Sequence, residues 1–259
     1  LVSAELDNGG APGTVTVEGD QVRVAPDPSL RAGTLVVVYT IDDATHDRDR
    51  RVNGTITVIV SDVPDQPLRP ERDGGSAVGG DGTATIRFAA PATNGKPITS
   101  YEIASSPEAA TPADCTAGAA CTIGGLANGT AYTFAVRAIN EHGAGPWSPA
   151  SEPITPYGTP ARPVVTASAS DPWTGPSRPG VITANWSPVA GTGGTTSYVW
   201  QLSDGQTGTT TGYTTGPISV ANAGSYVVTV YARNDGGKRG PDGTSASVSI
   251  AAQSALPAP

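Results

Sequence analysis

Short runs rich in Val, Ile and Thr recur along this chain, and clusters of Gly and Pro separate them. Residues 13–24 alternate Val15, Val17, Val22 and Val24 around Gly19-Asp20, the wording of a hairpin. Residues 35–41 and 52–60 read as two further strands. No window of about a dozen residues repeats apolar side chains at the three-and-four spacing of a helix. With 33 Gly and 24 Pro in 259 residues, the chain approaches the composition of disordered segments. Disordered segments lack dense β-branched runs, however, and this chain has many. The expectation is an all-β protein of tandem antiparallel β-sandwiches.

Two proline-rich stretches divide it. The first is Asp62-Val63-Pro64-Asp65-Gln66-Pro67, and the second is Thr155-Pro156-Tyr157-Gly158-Thr159-Pro160. Proline stiffens a linker and withholds backbone donors, as suits a segment between domains. The expected units are 1–63, 64–157 and 158–252, with an Ala/Pro-rich tail at 253–259. The first unit is short for a sandwich, and its first strand or strands are expected to be missing.

The second and third units repeat one pattern. Tyr132, Phe134, Val136 and Ala138 alternate and lead to Asn140, just as Tyr226, Val228, Val230 and Ala232 lead to Asn234. Upstream, Phe88 precedes Ser100-Tyr101 and Trp186 precedes Ser197-Tyr198. Alternation of this kind sends one set of side chains to a buried sheet face and the other to water.

These residues resemble the fibronectin type III family. Phe88 stands where the family has its strand B aromatic, and Tyr101 where it has its strand C Tyr. Leu126-Ala127-Asn128-Gly129-Thr130-Ala131-Tyr132 is similar to the family's corner, in which the Tyr ring packs and its hydroxyl serves a backbone group. The third unit resembles a second such domain through Trp186, Tyr198 and Tyr226, without the corner Leu. The first unit resembles cadherin-like and bacterial Ig-like modules. Calcium between modules would implicate Asp42, Asp43, Asp47, Asp49, Asp62 and Asp65. The Asp-x-Asp and Asp-Arg-Glu patterns of the calcium-binding relatives do not stand in the right places, so no metal and no cofactor are expected.

Gly145-Pro146-Trp147-Ser148-Pro149-Ala150-Ser151 is similar to the Trp-Ser-x-Trp-Ser motif of the cytokine-receptor branch of that family. The resemblance implies that Arg137 faces outward on strand F and stacks on Trp147. Ala150 and Ala135 stand where further rungs of such a ladder would be. Arg137, Trp147, Ser148 and Ser151 are therefore the candidate binding residues, against the alternative that this is ordinary strand G wording.

Other chemistry is poorly supplied. Cys115 and Cys121 do not form a C-x-x-C redox pair, and the two His are too distant to complete a zinc site. The alternatives are two free thiols or a local disulfide; the second is the expectation and implies an oxidising, extracellular compartment. His46 and His142 lie near no nucleophile motif, so no enzyme is expected. A net charge of −8 disfavours nucleic acid and anionic lipid as partners. No apolar run is long enough for a transmembrane helix. No signal peptide is visible and Met is absent, which suggests a piece of a longer protein.

The expected function is an adhesion or recognition segment on the surface of a high-GC Gram-positive bacterium. It would be monomeric and would bind another protein, a host cytokine or a matrix protein. The rivals are a passive spacer and a carbohydrate-binding accessory using Trp173, Trp200 or Tyr231.

Overall fold

The computed structural model describes residues 3–7, 12–42, 45, 47–170, 180–189 and 193–251. Asp43, His46, Trp173 and the tail 253–259 lie outside the described residues. The fold is all-β, built from antiparallel sheets.

The N-terminal group holds β1 (Ser3–Leu6), β2 (Gly13–Glu18), β3 (Gln21–Pro26), β4 (Gly33–Ile41) and β5 (Val52–Val60). The order β1-β4-β5 makes one sheet, and β2-β3 is the hairpin read from Gly19-Asp20. Gly19 carries φ 62°, the left-handed geometry that a side chain would resist. Burial here is sparse: among the described residues of this group, the buried side chains are Leu35 and Val37.

The middle group contains β6 (Glu71–Arg72), β7 (Ala84–Arg87), β8 (Ser100–Ser106), β9 (Cys121–Ile123), β10 (Thr133–Asn140) and β11 (Gly143–Ala144). Two sheets, β6-β7-β9 and β11-β10-β8, face one another. Between them Ile86, Phe88, Ile103, Ile123, Leu126, Tyr132, Phe134 and Val136 form one core. Phe88 and Tyr101 meet edge to face, with centroids 5.0 Å apart. Tyr101 is half-buried, and that burial raises its phenol pKa.

The third group comprises β12 (Val165–Ser170), β13 (Gly180–Trp186), β14 (Thr196–Leu202), β15 (Thr207–Thr210), β16 (Ile218–Val220), β17 (Gly224–Tyr226), β18 (Val228–Asn234), β19 (Gly243–Thr244) and β20 (Val248–Ile250). Its sheets are β12-β13-β16 and β15-β14-β18-β19, with the pair β17-β20 beside them. Trp186, Tyr198, Leu202, Tyr226 and Val230 lie in a second, separate core.

Each core is fed by the alternation in its longest strand. On β10, Phe134, Val136 and Ala138 are fully buried while Ala135, Arg137 and Ile139 are half-exposed. On β18, Val228, Val230 and Ala232 do the same. Fully burying one Val or Phe contributes about 1.5–3 kcal/mol, so these strands anchor their groups. The corner tyrosines add polar ties. Tyr132 Oη accepts from Ala127 N at 3.1 Å, and Tyr226 Oη donates to Asn222 O at 2.8 Å. Without the Leu, the second corner reaches a carbonyl instead of an amide.

Candidate functional site

Arg137 sits at an outward position of β10, directly across from Glu102 on β8. Its Nε donates to Glu102 Oε2 at 2.6 Å. The chain then turns through β11 and brings Trp147 alongside, with Arg137 Cζ 4.5 Å from the ring centroid. Glu102, Arg137 and Trp147 therefore form a stack on the face of the β8–β10 sheet. A cation over an indole is worth about 0.5–1 kcal/mol when exposed. Ala135 and Ala150 add nothing to it, so the stack has a single rung.

Trp147 is 36% exposed, among the few large apolar side chains of this group that reach water. It stands at one side of an open cleft of about 530 Å³. Tyr101, Glu102, Ser105, Glu108 and Thr111 line the rest. The lining is mostly apolar and includes two carboxylates, Glu102 and Glu108.

Ser148 and Ser151 play a different part. Both are buried. Val136 N donates to Ser148 Oγ and Phe134 N to Ser151 Oγ, each at 3.0 Å. In return Ser148 N and Ser151 N donate to the carbonyls of Val136 and Phe134. They clasp the final stretch onto β10, out of reach of a partner. Ser245 repeats the clasp on β18, where Val228 N donates to its Oγ at 3.0 Å. Cys115 and Cys121 are joined in a disulfide, which ties a surface loop to the start of β9.

The aromatic residues considered for sugar binding are already engaged. The Trp200 ring lies over Gly208 of β15, in the space a Cβ would fill. Tyr231 is covered by Arg239, whose Cζ is 3.9 Å from the ring centroid. One face of each ring is therefore engaged within the chain.

Four of the acidic residues weighed for calcium, Asp62, Asp65, Asp42 and Asp47, are matched within the chain. Asp62 pairs with Arg31 at 3.0 Å, and Asp65 accepts from Asn94 Nδ2 at 2.9 Å. Asp42 pairs with Arg51 at 3.4 Å, and Asp47 Oδ1 accepts from Asp49 N at 3.1 Å. Among the described residues no three His, Cys, Asp or Glu side chains gather as metal ligands.

Both junctions between groups are pinned by contacts that residue-type reading did not reveal. At the first, Asn94 Nδ2 donates to Val63 O at 2.8 Å, and Ser61 Oγ lies 2.7 Å from His142 Nε2. At the second, Gly193 presses against Asn128 and Gly129, and a Cβ on Gly129 would lie 2.7 Å from Gly194 N. Glu102 was equally unmarked in the sequence. The signal that finds it is the β8–β10 register, which sets it opposite Arg137.

Residues 74–154 match the family model of the fibronectin type III domain. That stretch is similar to such a domain. Domains of this family typically serve as protein-interaction or spacer modules, are typically extracellular and are generally non-catalytic. The match encloses the β8–β10 sheet, the corner, the disulfide, Trp147 and both serine clasps. A solved structure, the FN1–FN3 domains of chicken CNTN1, is similar at 20% identity with a TM-score of 0.35, over 72% of this chain and 66% of that one. The chain thus spans just under two thirds of that structure's length. No curated protein matches the chain. No helix among the described residues is long and apolar enough to cross a membrane.

Proposed function

We propose that this chain is an extracellular segment of a surface protein and binds another protein through the face that carries Trp147. The observation behind this reading is the pairing of a half-exposed Trp with an open cleft whose lining includes Glu102 and Glu108. Trp is among the residue types that dominate protein interfaces, because its large ring is rigid and amphipathic. Glu102 and Arg137 hold the ring in place before a partner arrives, which lowers the ordering cost of binding. The disulfide supports an oxidising compartment. A cytokine or a matrix protein is the partner class to examine first. The receptor-like variant rests on the Arg137–Trp147 rung.

Binding of the intact chain to immobilised cytokines and matrix proteins tests this, beside a Trp147→Ala variant. The reading expects saturable binding to one of them, weakened in a variant that still melts cooperatively. Flat responses across the panel sink it.

The second reading is a spacer that holds other domains at a distance. It is favoured by the pinned junctions, since contacts such as Gly129 against Gly194 oppose bending. Retained binding activity of a neighbouring domain at any spacer length would count against it.

A further inference from the structure

We infer that the cleft beside Trp147, taken as the protein-binding face proposed above, receives a basic segment of the partner: an Arg side chain flanked by apolar residues. Within the chain, Arg137 lies against the indole and pairs with Glu102 at 2.5 Å. The charge of Glu102 is thereby answered. Glu108 is exposed, and among the described residues it has no ion-pair partner. It is the open charge of the cleft, whose lining includes no Lys, Arg or His.

The negative sign extends beyond the lining. Residues 97–136 contain Glu102, Glu108 and Asp114, and no Lys, Arg or His. Asp114 follows the lining residues Pro112 and Ala113 and is also exposed. β8 and the loop after it, as far as the disulfide, therefore have acids and no cation of their own. An acidic partner segment would meet like charge there, and a basic one is drawn in.

The wall of the cleft is shaped before binding. Thr111 Oγ1 donates to Ile103 O and Ala109 N to Ser105 Oγ, each at 2.8 Å. These bonds fold the loop back onto β8, and the Cys115–Cys121 disulfide fastens its far end to β9. Because the loop occupies β8 at Ile103, a partner strand does not extend the sheet there. Recognition falls to side chains: the Trp147 ring, the apolar lining with Tyr101 and Pro112, and the Glu108 carboxylate. A guanidinium suits this set better than an ammonium. It is planar and weakly hydrated, stacks on aromatic rings and forks a carboxylate. A cleft of about 530 Å³ holds more than one side chain, so apolar neighbours of that Arg fill the remainder.

The probe is a rhodamine-labelled Ser-Leu-Arg-Leu-Ser peptide, beside the same peptide with Lys or citrulline in place of Arg. Fluorescence polarisation reads its binding to the intact chain and to variants that melt as the wild type does. The Arg peptide is expected to bind best, and the neutral citrulline peptide about tenfold more weakly. Glu108→Gln should weaken the Arg peptide about threefold, and Glu108→Lys about tenfold or more. Trp147→Ala should also cost about tenfold. Added salt should weaken the Arg peptide and leave the citrulline peptide unchanged. Equal affinity for the Arg and citrulline peptides, with Trp147→Ala still damaging, overturns the inference and leaves the protein-binding role of the face standing. Binding untouched by Trp147→Ala and Glu108→Lys overturns it too, because the peptide then sits on another acidic part of the chain. So does the absence of binding by any of the peptides at millimolar concentration, and the protein panel above then decides the wider role separately.

Discussion

Asn140 and Asn234 make one bond twice over. Each closes the long strand of its group and donates its Nδ2 to a carbonyl of the segment entering that group, Asp62 O at 2.7 Å and Gly158 O at 2.8 Å. The Asn140 Oδ1 accepts from His142 N at 2.9 Å, and the Asn234 Oδ1 from Lys238 N at 3.0 Å. The same side chain therefore fastens the linker and shapes the following turn. Both are buried. Asp lacks the donor and Ser is too short to reach both partners, so the chemistry calls for an amide.

Replacing either Asn by Ala leaves the linker carbonyl and the turn amide short of partners. Each variant is expected to lose about 1–3 kcal/mol, read from chemical unfolding of that group. Asn140→Ala should also widen the angular spread at the first junction in small-angle scattering. An unchanged unfolding midpoint in both variants would show that water replaces the bonds without cost.

The serine clasps predict a graded pattern. Ser148→Ala, Ser151→Ala and Ser245→Ala each remove the acceptor of a buried amide, on Val136, Phe134 and Val228 respectively. Losses of about 1–3 kcal/mol are expected for each. Ser148→Ala and Ser151→Ala should act on the middle group alone, and Ser245→Ala on the third. Partner affinity per folded molecule should not change, since neither hydroxyl of the middle group reaches the surface. A selective loss of binding in folded Ser148→Ala would return that side chain to the interface.

Much of the middle group was legible because its function in the fold is local. Alternation in residues 132–138 identified the buried face, and the Leu126-to-Tyr132 spacing identified the corner. The outward position of Arg137 followed from the same alternation, and its meeting with Trp147 was implied by the resemblance of residues 145–151 to the receptor motif. What pattern could not convey was which way Ser148 and Ser151 turn. That depends on the final stretch folding back on β10, so that the hydroxyls meet amides otherwise unpaired. The open N-terminal face was only half legible. A short first unit suggested missing strands, but the exposure of Ile56 depends on where the hairpin lands. The corner pattern marks Gly129 but not its junction role, because Gly129 and Gly193 also matter through atoms from another group.

Gly129 offers a test of the second junction. It has φ 81°, and a Cβ there would lie 2.7 Å from Gly194 N. Gly129→Ala therefore incurs both left-handed strain, about 1–2 kcal/mol, and a clash across the junction. The expected outcome is a modest loss of stability in the middle group with a clear increase in proteolysis near residues 155–160. Gly118→Ala is the control, with φ 79° and open space around its Cβ position. It should share the strain and leave the junction protected. Equal proteolysis of the two variants would mean the glycine contact does not hold the groups together.

The Lys96–Glu141 pair makes the first junction's surroundings sensitive to acid. Lys96 Nζ lies 2.7 Å from Glu141 Oε1, and that hydrogen bond, then its charge, holds the Glu141 carboxyl below the ordinary glutamate range. Glu141 is exposed and Lys96 half-exposed, so the effect on stability is small. Its sign is fixed nonetheless. A carboxyl whose pKa is lower in the folded state stabilises the fold above its unfolded value, and that contribution is lost as pH falls through the folded one. Wild type should melt slightly above Glu141→Gln at neutral pH, and the two curves should converge as the solution is acidified. Raising the salt concentration should narrow the neutral-pH gap as well, because exposed charges are screened. A gap that persists in acid would place the origin of the difference in the shape of the turn at Glu141, and the pair with Lys96 would then contribute nothing measurable.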